Sequence, residues 1–177
     1  MTNAELAILS LVVECPRYGY EIEQIIEARG MRDWTEIGFS SIYYLLNKLE
    51  KAFMIESKLQ EPEGRGPARK VYTSTSEGQQ AHLEGALKAL ENPQRRSAPF
   101  LLGLSNLPML PRNRVIKALN GYIEQLERRL AHMLQRRDSQ QPVQPFVEAM
   151  FDYSRTMIQA EIDWLRNIIW EVEVGNV

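Results

Sequence analysis

The spacing of apolar residues predicts three helices within the first 52 residues. In each helix the apolar side chains recur every three or four positions, so they share one face. Pro16 and Gly30 are typical end signals for the first and second helices. The predicted helices span residues 4–14, 18–30 and 39–52. The clearest stripe belongs to the third helix and consists of Ile42, Leu45, Leu46 and Leu49.

The periodicity then changes to two residues, as in a strand. Residues 54–60 alternate, with Ile55, Ser57 and Leu59 on one predicted face, and residues 71–75 favour a second strand. Between them, residues 61–70 contain two prolines and two glycines, which disfavour regular structure. This pattern predicts a β-hairpin with an extended tip. A helix is expected to follow over about residues 75–90, with a serine or threonine as its cap.

The second half of the chain predicts a pair of long helices. Apolar residues at helical spacing extend over about residues 112–137 and 146–172, and prolines interrupt the pattern between them. The expected fold is mainly α: a winged helix-turn-helix domain of three helices and a two-stranded hairpin wing, followed by a long-helix dimerisation region. The expected boundaries are residues 1–92, a linker with a short helix over 93–111, and residues 112–177.

Composition narrows the class of protein without identifying a partner. Hydrophobic residues make up 44% and charged residues 25%, as in soluble globular proteins, and a net charge of -2 gives no general attraction to nucleic acid. The longest apolar runs are shorter than the ~18 residues of a membrane span, and the lone Cys15 cannot form an internal disulfide. We expect a cytoplasmic protein with no membrane partner, in which Cys15 is a small buried residue.

Candidate binding chemistry is concentrated on the predicted third helix. Opposite its apolar stripe the helix carries hydroxyl, amide and ammonium groups, and Glu50 is its one acid. Asparagine can read adenine edges, hydroxyls contact bases or phosphates, and lysines neutralise phosphate charge. A polar helix face is also an ordinary solvated face, so this pattern alone does not separate the two interpretations. The candidate DNA-binding residues here are Ser40, Ser41, Tyr43, Tyr44, Asn47, Lys48 and Lys51.

The hairpin tip supplies a second cluster of positive charge. Residues 64–70 contain Arg65, Arg69 and Lys70 and no acid, and their glycines permit close approach to a phosphate backbone. Taken alone, such a tip is equally compatible with a solvated turn. In this order, three helices and a basic hairpin favour DNA binding. The acids of residues 1–35, six against three basic residues, are expected to lie away from the DNA.

Three segments of the chain resemble the PadR family of bacterial transcriptional regulators. They are Tyr18-Gly-Tyr-Glu-Ile, Ser40-Ser-Ile-Tyr-Tyr-Leu-Leu-Asn-Lys-Leu-Glu-Lys and Arg69-Lys-Val-Tyr-Thr-Ser-Thr-Ser-Glu-Gly. The resemblance implies a sequence-specific regulator, expected to be a repressor, with Tyr43 on its recognition helix. It also implies a Tyr-x-x-Thr-x-x-Gly signature formed by Tyr72, Thr75 and Gly78.

The rest of the chain is similar to one subgroup of that family, which includes virulence-gene activators. The similarity lies in Pro99-Phe-Leu-Leu-Gly-Leu and in the two long helices that follow. One departure concerns the start of the recognition helix. Relatives often have Ser-Pro there, whereas this chain has Gly38-Phe39, so the first residue of the helix stays open.

The last predicted helix has more apolar surface than one partner helix can cover. A homodimer would cover it and present two recognition helices about one DNA turn apart, and the resemblance implies dimerisation through the same region. The alternative is that both long helices pack on the winged domain. The residues expected at the dimer interface are Ile158, Ile162, Leu165, Ile168 and Ile169.

Trp164 and Trp170 also lie on the last predicted helix. Some PadR relatives bind flat aromatic effectors by stacking on tryptophan at the dimer interface, and the resemblance therefore implies an aromatic effector at these two residues. Packing alone is the ordinary use of a tryptophan at a helix interface.

The residues predict neither an enzyme nor a cofactor site. His82, His132 and Cys15 lack metal-ligand spacing, and the sequence shows no nucleophile–base pair and no phosphate-binding glycine motif. The competing hypothesis is a winged-helix adaptor that binds a protein in place of DNA. An adaptor has no need for basic side chains gathered on one side of the domain, which is why DNA is the preferred partner.

Overall fold

The computed structural model describes residues 1–35, 37–38, 41–61, 68–93 and 98–176, with the backbone alone for Asp33 and Ala98. The chain folds as two compact units, Met1–Gln94 and Arg95–Val177. Each unit has its own apolar core. The mainly helical architecture with one small antiparallel sheet confirms the predicted fold class.

The N-terminal unit has the element order of a winged helix-turn-helix. Three helices precede a β-hairpin, and a fourth helix follows it. A two-residue strand, β1 (Arg17–Tyr18), connects the first two helices, and a 3-10 turn at Met31–Asp33 follows the second. The remaining bounds are α1 Asn3–Glu14, α2 Gly19–Ala28, α3 Ile42–Lys51, β2 Ile55–Gln60, β3 Arg69–Ser74 and α4 Ser76–Glu91.

The second hairpin strand, β3, is the middle strand of a three-stranded antiparallel sheet. Tyr72 on β3 lies opposite Arg17 of β1 on one side and opposite Ser57 of β2 on the other. The sequence predicted the two hairpin strands but not β1, because two residues are too few to show alternation. The additional strand joins the connection between α1 and α2 to the hairpin.

The apolar stripe of α3 is buried, as its spacing predicted. Its four side chains are at most 6% exposed and pack among residues of α1, α2 and the sheet. Burial of these large side chains is the main stabilising contribution to the unit. The most buried of their neighbours are Ile8, Leu9, Ile22, Ile26 and Ile55.

Three details of the N-terminal unit differ from the sequence predictions. Helix α3 begins at Ile42 and not at 39, because Gly38 is not helical and Ser41 lies in a turn whose N–H donates to the Gly38 carbonyl at 3.2 Å. Leu59, predicted on the same face as the buried Ile55, is exposed, and only the first residue of β2 is fully buried. Cys15 is exposed and not buried, because α1 ends at Glu14 and the chain continues in an extended conformation.

The C-terminal unit is built on two long antiparallel helices. Their bounds are α6 Arg112–Ser139 and α7 Pro145–Val174, preceded by α5 Ala98–Ser105 and a 3-10 turn at Leu107–Met109. At one end, Arg112 Nη1 donates to the carbonyl of Glu173 at 3.3 Å. At the other end, Arg137 forms two hydrogen bonds to Glu148, at 3.0 and 2.5 Å. Contacts at both ends fix the register of the pair.

Most of the residues expected at a dimer interface are buried between these two helices of a single chain. Ile158, Ile162, Leu165 and Ile169 are buried within the single chain, and Ile168 is partly buried. The periodicity identified an apolar side of α7 but not its partner, which is α6 of the same chain. On α6 the buried residues of this core are Val115, Leu119, Ile123 and Leu126.

None of the helices in the described part of the chain is both long enough and apolar enough to cross a lipid bilayer.

Candidate nucleic-acid interface

Helix α3 presents its polar side to solvent. Tyr43, Tyr44, Asn47, Lys48 and Lys51 are all exposed, while the opposite side of the helix is buried. Two phenols, one amide and two ammonium groups therefore stand on one accessible surface. Such a surface suits a partner that offers both hydrogen-bonding edges and negative charge.

Ser41, the remaining candidate of this segment that the structure describes, lies at the start of α3 and is half-buried. Its hydroxyl donates a hydrogen bond to the carbonyl of Gly38 at 2.7 Å. The side chain is therefore engaged with the turn that precedes the helix. Two other candidates, Ser40 and Arg65, lie outside the described residues.

Lys48 is paired with an acid from another helix. Its Nζ lies 2.5 Å from Oε1 of Glu5, a buried residue in the first turn of α1. The hydrogen bond from Lys48 holds the pKa of Glu5 below its ordinary value, and the same bond raises the pKa of Lys48. Glu5 is therefore ionised at neutral pH. It departs from the expectation that the acids of residues 1–35 lie away from the polar face of α3.

The two basic residues that begin β3 also have partners within the unit. Lys70 Nζ lies 3.6 Å from Oε2 of Glu50, a carboxylate that also accepts a hydrogen bond from the Ser57 hydroxyl. The guanidinium of Arg69 lies 5.2 Å from the ring centroid of Tyr20, a distance typical of a cation–π contact. Both cations are exposed, so these contacts orient them without removing them from solvent.

A tyrosine cluster at the start of α2 connects the hairpin to the rest of the domain. Tyr20 stacks on Tyr18 with centroids 5.6 Å apart, and the Tyr18 hydroxyl donates to Oε1 of Gln60 at 3.1 Å. Gly19 lies between these two tyrosines, and a Cβ there would be 2.7 Å from Cε1 of Tyr43. A larger residue at position 19 would therefore displace the exposed Tyr43 ring from its position against α2.

Sequence reasoning did not include Glu5, Tyr18, Gly19 or Tyr20 among the site residues. The Tyr-Gly-Tyr segment was noted for its family resemblance, and that was the available signal for three of them. No local pattern pointed to Glu5, because its partner Lys48 lies 43 positions further along the chain.

The Tyr-x-x-Thr-x-x-Gly segment has a structural role in the described geometry. Tyr72 is buried in the core, and the Thr75 hydroxyl caps α4 by accepting from the Gly78 N–H at 2.9 Å. The same hydroxyl donates to the carbonyl of Phe53 at 2.7 Å. The segment therefore joins the turn after α3 to the start of α4.

The two tryptophans proposed for an effector are both exposed on α7. Trp164 meets Phe100 of α5 edge-on, with ring centroids 6.0 Å apart, and Phe100 also lies 5.3 Å from the ring of Tyr122. Phe100 and Tyr122 line an apolar cavity of about 250 Å³ between α5 and α6. Trp164 thus borders the aromatic wall of a cavity within the C-terminal unit.

Comparison with known proteins finds a family model similar to the N-terminal unit. Residues 8–84 match the Transcriptional regulator PadR-like family. No curated protein matches the chain.

Solved structures match over nearly the whole chain. Bacillus subtilis PadR in complex with operator DNA is 19% identical with a TM-score of 0.75, covering 95% of this chain and 98% of that one. The same regulator in complex with p-coumaric acid is 18% identical with a TM-score of 0.78, covering 96% and 98%. A PadR-like transcriptional regulator from Bacillus cereus is 19% identical with a TM-score of 0.68, covering 98% and 99%. At these identities the likeness shows a shared fold. Over residues 8–84 the N-terminal unit is similar to the PadR-like family of transcriptional regulators.

Proposed function

We propose that this protein binds double-stranded DNA sequence-specifically and represses transcription in the bacterial cytoplasm. The observation that carries the proposal is the exposed polar side of α3, opposite a fully buried stripe. The shared fold with Bacillus subtilis PadR, a regulator solved with operator DNA, supports the same function.

In the proposed complex α3 enters the major groove. Asn47 contacts a base edge, Tyr43 and Tyr44 contact bases or phosphates, and Lys51 neutralises a phosphate. The hairpin lies on the adjacent backbone or minor groove. Arg69 and Lys70 begin β3 next to the hairpin tip, where Tyr20 and Glu50 orient them. Arg65, in the sequence between the two strands, is proposed to add a third positive charge.

The direct test is fluorescence anisotropy of the full chain against two DNA fragments at two salt concentrations. One fragment is the region upstream of the protein's own gene and the other is its scrambled sequence. We expect tighter binding to the upstream fragment, with a preference that persists at the higher salt. Equal, salt-sensitive binding to both would contradict sequence specificity at this site. Failure to bind either fragment at low salt would favour the adaptor hypothesis.

We further propose that the protein acts as a homodimer through a second stripe on α7. The stripe is exposed in the single chain and lies apart from the side of α7 that packs on α6. Its members recur at intervals of four, three, four and seven residues, the spacing of a helix–helix seam. The stripe consists of Phe146, Met150, Tyr153, Met157 and Trp164.

The dimer is tested by a charge placed inside the stripe and the same charge placed beside it. Met157→Lys should raise the dimer dissociation constant at least tenfold in sedimentation velocity, because the ammonium cannot be buried without a partner. Gln159→Lys puts the same charge two residues away on the same helix and should leave the constant unchanged. A monomeric wild type, or equal effects from both variants, would contradict the proposed interface.

An aromatic effector is proposed at Trp164 or Trp170. The edge contact between Trp164 and Phe100, beside the apolar cavity, supports Trp164 in particular. Because the Bacillus subtilis relative is solved with p-coumaric acid, this compound is the probe of choice for tryptophan quenching. Loss of the quenching in Trp164→Phe but not in Trp170→Phe would support Trp164, and absence of quenching in the wild type would contradict the proposal.

A further inference from the structure

Glu5 is an acid placed at the edge of the proposed DNA-binding surface. Its side chain is 9% exposed, and its two carboxylate oxygens have different partners. Oε2 accepts the N–H of Thr2 at 2.7 Å, completing a capping box in which the Thr2 hydroxyl accepts the Glu5 N–H at 3.2 Å. Oε1 receives the ammonium of Lys48 at 2.5 Å. The cap of α1 uses Oε2 only, so Oε1 is available to act on α3.

Lys48 is accessible to a partner while it makes this contact. Its side chain is 54% exposed, and it lies on the same side of α3 as Asn47 and Lys51. A phosphate that approaches the Lys48 ammonium therefore also approaches the Glu5 carboxylate. The two charges of the pair cancel, so the attraction felt by the phosphate is much smaller than that of an unpaired lysine.

We propose that Glu5 limits the phosphate affinity of the recognition helix by pairing with Lys48. The proposal rests on the proposed DNA binding and adds a determinant of specificity outside the helix itself. Affinity from lysine–phosphate contacts is independent of sequence, whereas base contacts discriminate. By reducing the first contribution, Glu5 increases the relative weight of contacts such as that of Asn47.

The test is a charge cycle with Glu5→Gln, Lys48→Met and the double variant. Glutamine can still accept the Thr2 N–H, so the capping box and the fold are expected to persist in E5Q. The charge of the pair then becomes +1 in E5Q, −1 in K48M and zero in the double variant. On scrambled DNA at low salt we expect E5Q to bind about three- to tenfold tighter than wild type, with a salt slope steeper by about 0.9. K48M should shift both quantities in the opposite direction, and the double variant should return close to wild type.

Glu124→Gln supplies the matched control. Glu124 is also an ion-paired glutamate, 3.8 Å from Arg128, but it lies on α6 of the C-terminal unit. The Glu124→Gln substitution changes the net charge by the same amount as E5Q and should leave DNA affinity unchanged. Circular dichroism of each variant should match the wild type.

The outcomes separate this inference from the proposed function. Wild-type protein that binds neither DNA fragment overturns both. Wild-type binding with an E5Q affinity that is unchanged or weaker overturns the role of Glu5 alone. A double variant that binds as tightly as E5Q shows that Glu5 does not act through Lys48 and overturns the proposal as well.

Discussion

Gly78 lies directly against the backbone of Met54. A Cβ on Gly78 would overlap the Met54 carbonyl oxygen and lie 2.8 Å from its carbonyl carbon. This close approach brings the first turn of α4 onto the turn that follows α3, where Thr75 also donates to the Phe53 carbonyl. The glycine of the Tyr-x-x-Thr-x-x-Gly segment therefore secures the position of α3 without touching the polar face.

Gly78→Ala should destabilise the protein by about 2–3 kcal/mol, because the added methyl group meets backbone that cannot rotate away. The measurement is the free energy of unfolding in urea. Gly121→Ala is the matched control, since a Cβ at Gly121, in the middle of α6, meets nothing within 4 Å. It should stabilise the helix by roughly 0.5–1 kcal/mol. Similar effects from both substitutions would contradict the role assigned to Gly78.

Phe53 adopts a left-handed backbone conformation, with φ at 57°, and its side chain is 77% exposed. An L-residue other than glycine is strained in this conformation. Phe53→Gly should therefore be more stable than Phe53→Ala by roughly 0.5–1 kcal/mol, because only glycine relieves the strain. Thermal unfolding of the two variants provides the comparison. An alanine variant as stable as the glycine variant would show that this backbone carries no strain.

Glu14 should make the stability of the protein depend on pH below about 4.5. Arg29 donates to the two carboxylate oxygens of Glu14 at 2.6 and 2.9 Å, and Arg17 donates to one of them at 2.7 Å. These bonds lower the pKa of Glu14 from 4.5, and the hydrogen bond from Arg29 is the largest cause. A carboxylate whose pKa is lower in the folded state stabilises the fold above the unfolded pKa. That contribution is lost as the pH falls through the folded value. The urea midpoint should therefore drop between neutral pH and pH 3, and less steeply in Glu14→Gln. Parallel pH profiles in wild type and variant would contradict this assignment.

Asn47 and Lys51 should contribute to DNA binding in different ways. Asn47→Ala should lower the ratio of affinities for upstream and scrambled DNA by about tenfold or more, because a good base contact contributes roughly 1–3 kcal/mol of discrimination. Lys51→Ala should weaken binding to both fragments equally and reduce the salt slope by about 0.9. Anisotropy titrations at three salt concentrations measure both quantities. An unchanged affinity ratio in Asn47→Ala would remove this residue from base recognition.

The sequence identified the elements of the N-terminal unit because their periodicity is local. The stripe from Ile42 to Leu49 requires no knowledge of its partners, and it was predicted correctly. The contacts that orient the candidate site are not local. Lys48 meets Glu5 and Arg69 meets Tyr20, and the partners in each pair are more than forty residues apart. Such pairs depend on the packing of helices and strands, which the spacing of residues does not specify.

Helix α7 shows in the C-terminal unit that residue spacing does not specify how helices pack. Its periodicity revealed that the helix is apolar, but two sides of the helix satisfy the pattern. The side with Ile162 and Leu165 packs on α6, while the side with Met150 and Met157 is exposed. The register of the helical pair decides which side of α7 packs on α6. Contacts such as the one between Arg137 and Glu148 determine that register.

The position of β3 in the middle of the sheet has a consequence for how the protein behaves when it is crowded. An edge strand with unsatisfied backbone groups can recruit a strand of another molecule and begin aggregation. On one side of β3 the short strand β1 pairs with Val71 and Tyr72, and on the other side the six-residue β2 is the longer edge strand of this sheet. That strand carries one acid and one base on the same face, with Lys58 Nζ 3.5 Å from Oε1 of Glu56 and both residues exposed. Charges on an edge strand discourage intermolecular pairing, so these two side chains help to keep separate copies of the protein in solution from joining edge to edge.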